Sequence, residues 1–124
     1  MLAVDTSTWI AFVQGDKGRD VERLDSALAS GDIAFPPVVV TEILSERSLP
    51  ADQREIVLAI PSLEITEGYW LRAGAMRATI LARRLRARLA DMLIAQSCID
   101  HDVALITRDG DFRHFAEHCG LRLA

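Results

Sequence analysis

Short apolar stretches alternate with longer segments of helical period along the whole of this 124-residue chain. That alternation restricts the fold more than any other feature. LAV at 2–4, DIAF at 32–35, SLEIT at 62–66, VALIT at 103–107 and LRL at 121–123 read as strands. A helix is predicted over Thr6–Val13 with Trp9, Ile10 and Val13 on one side. RDVERLDSALAS follows with Val21, Leu24 and Leu28 at spacings of three and four, and Gly31 stands where a left-handed cap belongs. Pro37 can open a helix through VVVTEILSER, and residues 50–60 form a short helix after Pro50. EGYWLRAGAMRATILARRL is a longer helix with Trp70, Ala73, Met76 and Ile80 inward. ADMLIAQSCIDH and DFRHFAEHC complete the set. Apolar strands this short, separated by helices, predict an α/β fold: a parallel sheet covered on both faces, hence three layers. The length suits one domain, 1–124, with a single core.

Half of the residues are hydrophobic and about a quarter charged, the balance of an ordinary globular chain. No apolar run is long enough to span a bilayer, and no secretory leader is read at the start. Cys98 and Cys119 match neither a zinc site nor a disulfide framework, so free thiols in a reducing cytoplasm are expected. A net charge of −4 argues against a nucleic-acid partner, but the charge is unevenly spread. Between Glu67 and Asp91 there is no acid, while Arg72, Arg77, Arg83, Arg84, Arg86 and Arg88 all fall there. Every basic residue except Lys17 is arginine, whose planar fork suits phosphate. The strip reads either as a phosphate-contacting surface, with Arg84, Arg86 and Arg88 nearest Asp91, or as a solvated helix face.

In parallel sheets ligands bind beyond the carboxyl ends of the strands. Asp5 follows the first strand, Glu42 lies about a turn into the helix after the second, and Asp109 and Asp111 follow the strand in LITRDGDF. Asp91 opens a helix whose other inward positions are Met92, Ala95 and Ile99. Each acid alone has a plain structural use. Asp5 can cap the helix at Thr6, although Ser7 or Thr8 could do so and leave it free; Glu42 and Asp91 can complement helix dipoles; Asp109 can be a turn residue. Five at one sheet edge would repel one another unless a cation neutralised them. Oxygen ligands without histidine or cysteine suit Mg²⁺ or Mn²⁺. His114 and His118, four apart on a helix, could in principle face one metal, but exposed polar side chains are the simpler reading.

Other α/β phosphotransfer domains also place an aspartate after strand one. A haloacid-dehalogenase-like phosphatase wants a second acid two residues on, where Ser7 stands, and a receiver domain wants a lysine after a late strand, where there is none.

VDTS, VVTEIL and LADMLIAQSCIDHDVALITRDGDF together resemble the PIN domain family, and within it the VapC-type toxins of bacterial toxin–antitoxin pairs, over essentially the whole chain. The resemblance implies an α/β/α metal-dependent endoribonuclease, usually a homodimer, held inactive by a VapB-like antitoxin. Carried over by position, it implies acidic site residues at Asp5, Glu42, Asp91 and Asp109, a fifth at Asp111, and a small hydroxyl at Thr107. Asp5, Asp91 and Asp109 are the implied metal ligands. Mg²⁺ or Mn²⁺ would activate water for hydrolysis of an RNA phosphodiester. RRLRARLAD lacks the glycine that many relatives carry before the third acid, so the loop shape there is this chain's own. A PIN-like module without catalysis is the alternative; an acid replaced by a neutral residue would favour it, and every expected acid is present.

Overall fold

The computed structural model describes Met1 to Ala124 and centres on a strand of only three residues, β1 (Leu2–Val4). β1 pairs in parallel on one side with β2 (Ile33–Ala34), Leu2 opposite Ile33. On the other side it pairs in parallel with β3 (Ala104–Ile106), Val4 opposite Ile106. The order is therefore β2-β1-β3. Ala3, Val4, Ala34, Leu105 and Ile106 are all buried, as a sheet covered on both faces requires.

The two outer strands read from the sequence shrink to single rungs. Ser62 bridges Phe35 and Leu123 bridges Leu105, both in parallel. Phe35 N–H donates to Pro61 O at 2.8 Å and accepts at its carbonyl from Leu63 N–H at 2.8 Å, after which the chain leaves the sheet edge. Leu105 exchanges the equivalent pair with Arg122 and Ala124. Glu64 and Arg122 sit exposed beside these rungs, and an edge segment whose next side chains seek water extends no ladder.

The helices are α1 (Thr6–Val13), α2 (Arg19–Ser30), α3 (Pro37–Leu44), α4 (Ala51–Ala59), α5 (Tyr69–Ala82), α6 (Leu89–Asp100) and α7 (Arg113–Cys119), the last entered through a 3₁₀ turn over Gly110–Phe112. Gly31 ends α2 at φ 68°, the left-handed cap expected of it. Pro37 opens α3, which stops at Leu44 rather than running on to Arg47: Ser45 N–H still donates to Thr41 O at 3.0 Å, but the next amide, of Glu46, tightens onto Ile43 O at 3.2 Å.

Two side chains read as inward face out. Trp70 is 64% exposed and Ile10 44%. In α5 the buried stripe is Tyr69, Ala73, Met76 and Ile80, at steps of four, three and four. That phase places Trp70 a hundred degrees round the helix. In α1, Trp9 takes the core position and stacks edge-on against Phe35, with centroids 5.3 Å apart. The Tyr69 hydroxyl donates to Leu93 O at 2.7 Å and joins α5 to α6. Tyr69→Phe is expected to lower stability by about 1 kcal/mol, the usual loss for one such bond, as read in denaturant melts.

Arg72 joins the same two helices from outside, through paired bonds to Asp100 at 3.1 and 2.7 Å. This pair removes Arg72 from the basic strip. Cys98 is buried and Cys119 half-buried, both as free thiols. No helix is long and apolar enough to cross a membrane.

Candidate metal centre

The carboxyl ends of β1 and β3 are adjacent, and Asp5 N–H donates to Ile106 O at 3.1 Å across them. The residues that follow each strand therefore share one edge. Asp5 is 3% exposed and itself caps α1: its Oδ1 accepts from Thr8 N–H at 3.1 Å. Ser7 and Thr8 do not act as caps in its place. The Ser7 hydroxyl reaches both Asp5 oxygens, at 2.8 and 2.9 Å, and the Thr107 hydroxyl donates to Oδ2 at 2.6 Å. Burial pushes the Asp5 carboxyl above its ordinary value and the charge of Asp109 adds to this, while these donors pull it back.

Thr107 also accepts from Asp109 N–H at 3.0 Å, and Asp109 in turn accepts from Asp111 N–H at 2.9 Å, which winds the chain after β3 into its 3₁₀ turn. This folding brings Asp109 and Asp111 against the first turn of α6. Oxygens of Asp91, Asp109 and Asp111 lie within 4.8 Å of one another. Asp91 is half-buried, and its Oδ2 is shut from solvent without a hydrogen-bond partner. Burial lifts its carboxyl to about 6, and repulsion from Asp109, Asp111 and Glu42 adds to the rise against the opposing charge of Arg88. Glu42 reaches the same edge from α3 and accepts from the Thr6 hydroxyl at 2.8 Å.

Four of the five acids read from the sequence form two tiers at the carboxyl edge, and Glu42 stands exposed at its outer side, its charge reaching Asp91. Asp91, Asp109 and Asp111 present converging oxygens. Asp5 stands behind them with its oxygens held by three hydroxyl or amide donors, within reach of the Asp109 charge. A buried carboxylate oxygen with no donor, beside two further carboxylates, fits a hard divalent cation held by oxygen alone. His114 and His118 belong to no such cluster.

The basic strip divides by geometry. Arg77 is spent on Ala87 O at 2.9 Å, holding the 83–88 loop to α5. Arg86 Nη1 lies 3.5 Å from Asp111 Oδ2, and the charge of Arg88 acts on Asp91. Arg84 is exposed at φ 58°. Two residues at this edge were not singled out from the sequence. Asp20 accepts from Arg108 Nε at 2.7 Å and Nη2 at 3.0 Å, and from the Thr8 hydroxyl at 2.9 Å. Its carboxyl is held down to about 2, chiefly by Arg108. Residues 88 apart in sequence leave no local signal of such a pair.

Known proteins share this fold. Solved structures similar over nearly the full length include VapBC2 from Rickettsia felis bound to a DNA fragment from their promoter (TM-score 0.72, 18% identity, covering 99% of this chain and 96% of that one). FitAcB from Neisseria gonorrhoeae follows (0.71, 16%, 99% and 96%). So does VapBC-5, a member of the VapBC family of toxin-antitoxin systems, from Mycobacterium tuberculosis (0.67, 20%, 98% and 95%). At these identities the likeness speaks to the fold. No curated protein matches the sequence. The family model for the PIN domain, however, matches residues 2–118, which takes in every acid at the carboxyl edge, and the chain belongs to the PIN domain family.

Proposed function

We propose that this PIN domain is a metal-dependent endoribonuclease and the toxin of a VapBC-like toxin–antitoxin pair. The observation that carries the reading is the partnerless, buried Oδ2 of Asp91 facing Asp109 and Asp111. Asp91, Asp109 and Asp111, with Asp5 behind them, are the residues that would hold Mg²⁺ or Mn²⁺. A bound divalent ion would supply Lewis acidity and make a coordinated water easier to deprotonate. Thr107 and Ser7 fix the rotation of the Asp5 carboxylate through their hydroxyls. Glu42 adds an acceptor for a proton or a water at the outer side of the cluster. Arg86 beside Asp111 and Arg88 acting on Asp91, with the exposed Arg84 on the same loop, would receive the phosphodiester, Arg86 exchanging Asp111 for phosphate. The metal and these arginines would face the negative charge that a hydrolysis at phosphorus builds up, and the reading calls on no histidine.

A groove of about 560 Å³ runs between α1 and the α3–α4 segment, lined by Trp9, Ile10, Val13, Ile43 and Leu49, and reaches Thr6 and Glu42. An antitoxin tail with apolar side chains and a terminal basic group fits that combination, and the outward turn of Ile10 has a use there. A second apolar hollow between α5 and α6, walled by Trp70, Leu81 and Leu89, is where a second copy of the chain would sit in a homodimer.

The reading is tested by incubating total RNA with the purified chain. In Mg²⁺ or Mn²⁺, discrete fragments with 5′-phosphate ends are expected, and chelator should remove them. A folded protein that binds Mn²⁺ yet cuts no RNA would leave the silent module as the better account.

A further inference from the structure

Asp5 is gripped from two sides, and both grips lead to one ion pair. On one side Thr8 gives Asp5 Oδ1 its amide and gives Asp20 its hydroxyl, at 2.9 Å. On the other, Thr107 gives Asp5 Oδ2 its hydroxyl and is followed in the chain by Arg108, which forks onto both Asp20 oxygens at 2.7 and 3.0 Å. The contacts close a ring: Asp5, Thr8, Asp20, Arg108, Thr107 and back to Asp5. Thr8 is fully buried and the Asp20 side chain 15% exposed, while Arg108 closes the ring from the exposed side. Arg108 also donates to Lys17 O at 3.2 Å, so the turn between α1 and α2 is drawn onto the end of β3. Gly18 leaves the room: a Cβ there would lie 2.5 Å from Asp20 Oδ1 and 3.0 Å from Arg108 Nη2.

We infer that Asp20 and Arg108 are positioning residues for Asp5, setting the spacing between two of its three donors, Thr8 and Thr107, and so the direction in which its carboxylate faces the metal centre. The inference rests on the metal-centre reading proposed above. Groups that orient a ligand from behind typically change metal affinity 10- to 100-fold when removed. Asp20 has a second task. The negative charges of Asp16 and Asp5 are felt by the Arg108 guanidinium, which the fork onto Asp20 and the bond to Lys17 O keep occupied. Without Asp20, Arg108 is free to turn toward Asp5 and oppose a metal ion.

The test titrates Mn²⁺ into the folded wild-type chain and into Arg108→Gln, Arg108→Lys, Asp20→Asn and the double variant, by calorimetry. Arg108→Gln should weaken Mn²⁺ about 10-fold, with Arg108→Lys partly restored. Asp20→Asn should weaken it more than Arg108→Gln does, and adding Arg108→Gln to it should recover part of the loss. A purely structural pair would lower the melting temperature and leave the affinity of the folded fraction within two-fold of wild type, which overturns the inference. Thr8→Val and Thr8→Ser guard against misfolding of the charge variants: Val, which cuts the link to Asp20, should weaken Mn²⁺, and Ser should not. The carboxyl ¹³C resonance of Asp5 in metal-free protein separates the two readings. If wild type binds no Mn²⁺ the metal centre fails, and a resonance displaced by Arg108→Gln then upholds the positioning role while an unmoved one refutes it.

Discussion

Asp91→Asn should abolish metal-dependent cleavage and, in the same protein, raise the melting temperature without metal. The loss should reach at least about 100-fold, since even groups one layer behind a metal ligand are worth 10- to 100-fold. The gain comes from the unfavourable setting of the native carboxylate. Asp91 is lifted to about 6 by burial and by the charges of Asp109, Asp111 and Glu42, and its Oδ2 has no donor. At pH 7.5 it is ionised, and the folded chain bears the cost of that charge. The neutral amide removes the charge and can donate to a neighbouring carboxylate. Allowing for partial exposure, the gain is about 1 kcal/mol, or roughly 3–5 °C in a chain of this length. Cleavage of an end-labelled RNA and thermal melts in chelator read the two effects. A variant that loses cleavage and also melts lower in chelator would show that Asp91 supports the fold rather than straining it.

The pH dependence of stability should invert between metal-free and metal-loaded protein. Asp91 binds its proton more tightly folded than unfolded, so between about 4 and about 6 the native chain carries more protons, and stability falls as pH rises through that window. Asp5 is raised as well and acts in the same direction. Asp20 acts oppositely: held down to about 2 by Arg108, it adds stability above the ordinary carboxylate value and loses it as pH falls toward 2. Melting temperature in chelator should therefore peak at about pH 4–5. Mn²⁺ at a hundred times its dissociation constant should add about 2.7 kcal/mol at pH 7.5, where the carboxylates are ionised, and much less at pH 5, where protons compete. Equal metal shifts at the two pH values would mean the ion is held elsewhere.

The strand ends made much of this edge legible. Asp5, Asp109 and Asp111 follow strands whose apolar runs are plain in the sequence, and the rule that parallel sheets bind ligands beyond those ends needs no coordinates. Gly31 and Pro37 marked helix limits through backbone preferences that hold in any fold. Legibility ended where phase or edge pairing decided. A shift of one residue in the buried stripe of α5 exchanged Tyr69 for Trp70, and the outer strands shortened to single rungs once the sheet edge met water.

Local chemistry along the chain determined the helix and strand order, the choice of acids and the all-oxygen character of the candidate centre, because each depends on residue type and short spacing. The tertiary structure alone decided which oxygens converge. Asp91, Asp109 and Asp111 do, while Asp5 is turned to Ser7, Thr8 and Thr107. It alone split the arginine strip into structural and site-facing members, and it alone joined Asp20 to Arg108. These outcomes rest on distances between segments remote in sequence, set by how the helices pack on the sheet, and short-range spacing carries no measure of such distances.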